Sequence, residues 1–379
     1  MIGSSIRASA ALALAAVLLG AGTARAVDEH GGAAPAFVPP YVFEQIARNG
    51  TPEQRQDALR QLRQDRALLP GGEGQPAPAP RALLPRGIYN AGGGTALPGR
   101  LVWGGPPSPL PADPQVRQAA AGQGATIDFW KWAINRNLAV PATVHYDLRY
   151  NNAFWNGSQM VFGDGDGVLF NPFTCCIDVV GHERMHGITG NRMAYHKQSG
   201  ALNESLSDVF GVLVVQFMKK QTAANASWLV GSGLFKPRVR GRALRDMANP
   251  GTAYNDPVLD RDPQPAHMSR YVNLPDTADG DWGGVHVNSG IPNKAFVLFA
   301  RSLGGNAYGL PGNIWYNALS NSTHPANLTF AAFARVTIGK AQQLSGAATA
   351  AKLTQAWRAV GVTPVPLAAT AAAAQVAAR

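Results

Sequence analysis

The run His182-Glu183-Arg184-Met185-His186 constrains this chain more than any other stretch of comparable length. Two imidazoles four positions apart share a face on an α-helix, so this segment as a helix brings both rings to one ion. Glu183, beside the first imidazole, then stands where a carboxylate can take a proton from water held at that ion. The plain alternative is a helix carrying two solvated histidines. The flanks weigh against it, because Asp178-Val-Val-Gly181 and Gly187-Ile-Thr189 read as one buried helix.

A third ligand stands at a workable distance. Glu204 lies 18 residues beyond His186, in Gly200-Ala-Leu-Asn-Glu-Ser-Leu-Ser-Asp208. Two histidines and one carboxylate leave a fourth tetrahedral position open, as a catalytic zinc requires. Asp208 follows Glu204 by four residues and is suited to accept the second ring N–H of a ligating histidine, as is Asn203. The alternative for Asp208 is an ordinary acid on a helix surface. Further on, Asp281-Trp-Gly-Gly-Val-His286 delivers a histidine from a Gly-rich turn, with Asp281 placed to bond its ring and favour the charged form. By itself such a histidine is more often structural.

The rest of the chain divides by composition. Arg7, the apolar run Ala8–Gly20 and Ala24-Arg25-Ala26 read as an export signal, residues 1–26, cleaved after Ala26. A retained membrane anchor is the alternative, and no cysteine near the junction marks it for lipid attachment. Residues 27–80 read as a small module. Val42 to Asn49 forms a short helix ended by Gly50, and Thr51-Pro52-Glu53-Gln54 is a capping box opening a second helix to about Leu68. Pro70–Pro80 is a linker. Strands are expected at Ile88–Asn90, Leu101–Trp103, Thr143–Tyr146 and Gln159–Phe162, with a helix at Ile127–Asn137 between them. The C-terminal part is mostly helical: Ile177–Thr189, Gly200–Lys220, Ser289–Ser302, Gly312–Ser320, Thr329–Leu344 and Ala348–Gly361. Residues 81–190 and 191–366 thus form an α+β body of two lobes, β-rich and then helical, joined by the helix at His182. Residues 367–379 are an Ala-rich tail.

The net charge of +10, from 33 basic and 23 acidic residues, invites a nucleic-acid reading, but the arginines are scattered, with no dense basic run beside aromatics. The only two cysteines, Cys175 and Cys176, are adjacent. They close no useful loop and read either as two packed thiols or as a strained vicinal disulfide. No apolar run of membrane-spanning length follows the N-terminus.

Taken together, NNAFWNGSQMVFGDGDG (151–167), IDVVGHERMHGIT (177–189), QSGALNESLSDVFG (198–211) and DWGGVHVNSGIPNKAF (281–296) resemble the thermolysin family of neutral zinc metallopeptidases. FVPPYVFEQIARNG (37–50) and IYNAGGGTALPGRLV (88–102) are similar to its protealysin-like branch. The resemblance implies a thermolysin-like two-lobed zincin holding one zinc on His182, His186 and Glu204. Glu183 is then base and proton shuttle, Tyr195 and His286 stabilise the oxyanion, and Asp281 partners His286. Asn152 and the backbone of Ala153 match groups holding substrate on the unprimed side, and Arg245 matches the residue that binds the primed-side carbonyl. Phe170, Phe173, Val179 and Leu244 match the wall of the pocket after the scissile bond, which implies a preference for bulky apolar residues there. It further implies a secreted monomer acting on peptides or proteins, with residues 27–80 as its own inhibitory propeptide. It implies no nucleic-acid partner, and no membrane partner once the signal is removed.

There are departures. The family's Leu-Thr within the motif is Arg184-Met185, and the segment between His186 and Glu204 is slightly shortened. Calcium is doubtful. Asp178 remains from the family's double calcium site, but its expected Glu partner is Val215, and Ala223–Gly233 contains no acid. A catalytically silent secreted binding protein on the same scaffold is the rival reading, and the intact Glu183 and His286 argue against it.

Overall fold

The computed structural model describes residues 36–68, 83–320, 324–325 and 327–364. The expected signal (1–26), linker (70–80) and tail (367–379) lie outside the described residues.

The N-terminal module is two helices, α1 (Pro40–Asn49) and α2 (Pro52–Ala67). The capping box forms as read: Gln54 N–H donates to Thr51 Oγ1 at 3.3 Å, and the Thr51 N–H donates to Gln54 Oε1 at 2.8 Å. Val42, Phe43 and Ile46 of α1 and Ala58 and Leu62 of α2 are buried in the main core, so the module shares that core.

The body opens with β1 (Ile88–Asn90) and β2 (Arg100–Trp103), then α3 (Pro114–Ile134), β3 (Ala142–Val144), β4 (Ala153–Trp155) and β5 (Met160–Phe162). The five strands form one sheet in the order β2-β1-β3-β5-β4, parallel at its centre and antiparallel at both ends. The sequence placed α3 only from Ile127. It begins 13 residues earlier, because Asp113 Oδ1 caps the N–H groups of Gln115 and Val116 and Pro114 suits the first helical position. The Ala- and Gly-rich first half of α3 lacks the large apolar side chains that mark a helix in sequence. His145 ties this cap to the 163–167 turn. Its Nε2 lies 2.9 Å from Asp113 Oδ2 and its Nδ1 2.7 Å from Asp164 Oδ2.

Helix α4 (Ile177–Thr189) and helix α5 (Lys197–Met218) form the centre. They cross where Gly181 meets Gly211: a Cβ on Gly181 would lie 3.0 Å from Gly211 Cα, and one on Gly211 would lie 2.4 Å from Asp178 O. Only glycine admits this approach, and it brings the Glu204–Asp208 face of α5 onto the His182 face of α4. After α5 come the short ribbons β6 (Leu229–Val230) with β7 (Arg245–Asp246) and β8 (Asn255–Asp256) with β9 (Asp260–Arg261). The chain closes with α6 (Asp281–Asn288), α7 (Gly290–Leu303), α8 (Leu310–Leu319), α9 (Phe330–Ser345) and α10 (Ala347–Ala359). Apart from α3, the expected helices are thus present within a few residues. Strand β4 and helix α6 escaped the sequence reading, β4 because it is three residues long and α6 because its glycines argue for a turn.

Candidate active site

The two imidazoles of α4 face each other, with His182 Nε2 3.0 Å from His186 Nε2. Glu204 of α5 brings Oε2 to 3.4 Å from His182 Nε2 and Oε1 to 3.5 Å from His186 Nε2. The three side chains are buried and offer ligand atoms within 4.8 Å of one another. The other ring nitrogens are engaged: His182 Nδ1–H donates to Asp208 Oδ1 at 2.9 Å, and His186 Nδ1–H to Asn203 Oδ1 at 3.0 Å. Each imidazole therefore turns its Nε2 inward. Both oxygens of Glu183 and Oε2 of Glu204 are buried with no hydrogen-bond partner among the described residues. Buried polar atoms left without protein partners at the mouth of a two-histidine, one-carboxylate set fit a bound ion and its water.

The charges of the protein alone are unequal. Burial pushes Glu183 up to about 8, against the pull of His182. Burial lowers His186 to about 3, the state a metal ligand needs. His182 is raised to about 9, because its bonds to Asp208 and Glu204 outweigh burial. Glu204 stays well below the usual carboxylate range despite burial, held there by His286 and the two ligand histidines.

On the opposite wall, His286 Nδ1–H donates to Asp281 Oδ1 at 2.6 Å, and the His286 backbone N–H to Asp281 Oδ2 at 2.9 Å. Residues 281–284 all have positive φ, which folds Asp281 back under its own histidine; glycine at 283 and 284 makes that run affordable. Tyr195 Oη donates to Glu204 Oε1 at 2.5 Å and lies 3.5 Å from His286 Nε2.

The cleft beneath holds a segment of the chain itself. Ala36 bridges Phe154 on the edge strand β4, and Phe37 N–H donates to Ala153 O at 2.9 Å. The fully buried Phe37 ring lies 5.0 Å from the His182 ring, 6.4 Å from the Phe173 ring and 4.6 Å from the Arg245 guanidinium. Phe170, Phe173, Val179 and Leu244 belong to the same buried cluster as Phe37. Arg245 donates through Nη1 to Phe37 O at 3.0 Å and is clamped from behind by Asp208, at 2.9 and 2.7 Å. The Val38 N–H donates to Asn152 Oδ1 at 2.7 Å, and Asn152 Nδ2 donates to Val38 O at 3.1 Å.

Asn152 and Ala153, expected to hold substrate on the unprimed side, meet the chain's own N-terminal segment here. They grip Phe37 and Val38, the first of which Arg245 also addresses, because β4 is an edge strand lying antiparallel to 36–38. Position along such an edge follows from pairing, which the sequence does not display. Sequence reasoning also missed Asn293, which donates to Asp208 Oδ2 at 2.9 Å, and Phe37 as the residue that enters the pocket. The motif around Asn293 was visible, but its target was not.

The two unusual motif residues point away from the ligands. Arg184 Nε donates to Leu138 O at 2.7 Å with its guanidinium 6.0 Å from the Trp155 ring, and Met185 is buried in the core. Asp178 accepts from the Gly231 N–H and is the only acid among the residues lining a cavity of about 200 Å³ that includes Val215 and Gln216.

A deep cleft between a β-containing lobe and a helical lobe, with a metal-ligating trio and an unpartnered carboxylate at its floor, defines a metallopeptidase. Residues 112–190 match the thermolysin metallopeptidase catalytic domain and residues 191–362 its alpha-helical domain, and the chain belongs to the thermolysin metallopeptidase family. It is 46% identical over 339 residues to an extracellular metalloprotease of Pectobacterium carotovorum subsp. carotovorum, covering 86% of this chain and 95% of that protein. It is 40% identical over 344 residues to protease PrtS of Photorhabdus sp. (strain Az29), covering 86% of this chain and 91% of that one. Among solved structures it is similar to the precursor of protealysin, a metalloproteinase from Serratia proteamaculans, with a TM-score of 0.79 and 44% identity over 87% of this chain and all of that one.

Proposed function

We propose that this metallopeptidase is a secreted zinc-dependent endopeptidase made as a zymogen, cleaving before bulky apolar residues. The observation that carries the reading is Phe37, a bulky apolar residue in the apolar pocket beside the metal trio, with its carbonyl on Arg245. His182, His186 and Glu204 would hold the zinc, which when bound supplies Lewis acidity to the water and the peptide carbonyl.

The remaining chemistry falls to this chain's own side chains. Glu183 takes a proton from the attacking water and returns it to the leaving amine; burial, by raising its pKa towards neutrality, suits both halves of that task. Tyr195 O–H and His286 N–H donate to the oxyanion as it develops; Glu204 and Asp281 favour the charged form of the His286 ring, and Asp281 orients it. Asn152, Ala153 O and Arg245 align the substrate as they align residues 37 and 38. Asp208 positions both His182 and Arg245.

In the zymogen reading, residues 27–80 block this path. With the module seated, the space beside Tyr195 and His286 is about 50 Å³, room for only a few waters. Activation then means removal of the module by a cut in or near the 70–80 linker. N-terminal sequencing of the secreted, active protein tests this. A new terminus within 70–90 supports it, and an active enzyme that still begins at Val27 overturns it. Casein hydrolysis with and without a chelator, beside a zinc assay of the same sample, tests the metal and excludes the silent binding protein.

A further inference from the structure

We propose that Cys175 and Cys176 form a reversible vicinal disulfide that braces the wall of the apolar pocket. The pair joins the 3-10 turn Phe173–Cys175, which carries a ring of the pocket wall, to α4, which carries the metal ligands. The two Sγ atoms lie 2.7 Å apart, inside ordinary non-bonded contact, which even between carbons is about 3.5–4.0 Å. Cys176 is buried and Cys175 partly exposed, so one sulfur is reachable and the other sits behind it. Both face one loop: Cys176 Sγ lies 3.4 Å from Ser232 O and Cys175 Sγ 3.8 Å from Gly233 O. Gly231, which opens that loop, faces Leu244 and Phe37, and a Cβ added there would lie in ordinary contact with each, at 3.5 Å.

A metal does not account for the pair. Among the described residues no histidine and only one acid, Asp178, line the adjoining cavity, and Asp178 is already bonded to Gly231 N–H. Two thiolates and one engaged carboxylate fall short of a closed structural site. Oxidation needs no third ligand. Adjacent Cα atoms sit about 3.8 Å apart, below the usual span of about 4.4–6.8 Å across a disulfide, so the eight-membered ring is strained and readily reduced. Labile bonds of this kind respond to redox surroundings rather than resist them.

The exchange balances with a small-molecule disulfide, RSSR, as the co-reactant. Cys175 loses its proton, and its sulfur attacks RSSR, breaking the S–S bond and releasing one RSH. The mixed disulfide on Cys175 is then attacked by the Cys176 sulfur, which gives up its proton and displaces the second RSH. Two thiols are oxidised and one disulfide is reduced.

The test uses the full chain equilibrated with oxidised glutathione, denatured without reductant and treated with iodoacetamide. The expected product is a monomer about 2 Da lighter than the dithiol and unalkylated, taking two alkyl groups only after mild reduction. Two alkylations without reductant, a persistent mixed disulfide, or a disulfide-linked dimer overturns the bond. The brace is read separately on active enzyme from culture medium, with a phosphine reductant that spares the metal. Reduction should raise KM several-fold for peptides with a bulky residue after the scissile bond and leave kcat nearly unchanged, and Cys175→Ser should abolish the difference. An unchanged KM with the bond demonstrated by mass overturns the brace. The mass readout is independent of the zymogen reading.

Discussion

Arg245 is held by Asp208 through two hydrogen bonds and passes a third, at 3.0 Å, to the carbonyl of Phe37. Asp208 is the same residue that accepts His182 Nδ1–H. One carboxylate therefore orients a metal ligand and a peptide-binding group together, and the segment occupying that group is part of the chain's own N-terminal module.

Truncating the anchor should loosen the module. Phe37 is fully buried, and Phe→Ala at such a site costs about 3–5 kcal/mol. Phe37→Ala should give an uncleaved chain with measurable casein hydrolysis, where the unaltered uncleaved chain has little. Equal activity of the two uncleaved proteins would count against inhibition by this segment.

Module binding should weaken as pH rises from about 4 to about 6. Asp65 of α2 accepts from Tyr150 Oη at 2.5 Å and from Asn152 Nδ2 at 3.1 Å, yet burial raises it to about 6 in the docked state. A carboxyl whose pKa is higher when docked than when free takes up a proton on docking, so docking is favoured below the free value and loses that support as pH passes the docked one. The rate of module release, followed by limited proteolysis between pH 4 and 7, should rise over this window and flatten in Asp65→Asn.

Replacing Glu183 should separate metal binding from catalysis. Glu183→Gln should bind zinc stoichiometrically and lose nearly all peptidase activity. Tyr195→Phe should keep zinc and lower kcat by about 10²–10³, the usual cost of one oxyanion donor. Zinc content and casein turnover on the same preparations check both, and a fully active Glu183→Gln protein would remove Glu183 from its role.

Removing the charge that supports both His182 and Arg245 should weaken metal and substrate binding together. Asp208→Asn keeps the shape but removes the charge facing both His182 and Arg245. It should lower zinc affinity by about 10–100-fold, in line with other outer partners of metal ligands, and raise substrate KM as well. Zinc competition against a chromogenic chelator and peptide kinetics would show the two effects together, and loss of only one would break the proposed link.

The clamp at His145 predicts a stability change at alkaline pH. Bonds to Asp164 and Asp113 raise His145 to about 9. A histidine raised in the folded state contributes fully below its unfolded value of about 6.5 and loses that contribution as pH climbs through about 9. Tm should fall across that interval, and the fall should shrink in His145→Gln.

Much of this molecule is legible along the chain because its signals are local. A capping box, an i,i+4 histidine pair and a carboxylate four residues from its neighbour's support need only helical periodicity to be read, and α2, α4 and α5 carry them almost as written. Where the signal depended on non-local pairing, it failed. The register of edge strand β4 against residues 36–38 decided that Asn152 grips Val38. The left-handed run 281–284 was legible as a glycine turn, but not as the device that puts both Asp281 oxygens on His286.

The sequence by itself determined which side chains can ligate, accept and donate, because chemical type and helical spacing are properties of the chain. Only the tertiary structure decided where they converge. The Gly181–Gly211 crossing sets the distance between the two ligand helices, and packing of Phe37 into the cleft sets what fills it. Both depend on contacts between residues far apart in sequence, and such contacts exist only once the chain has closed on itself.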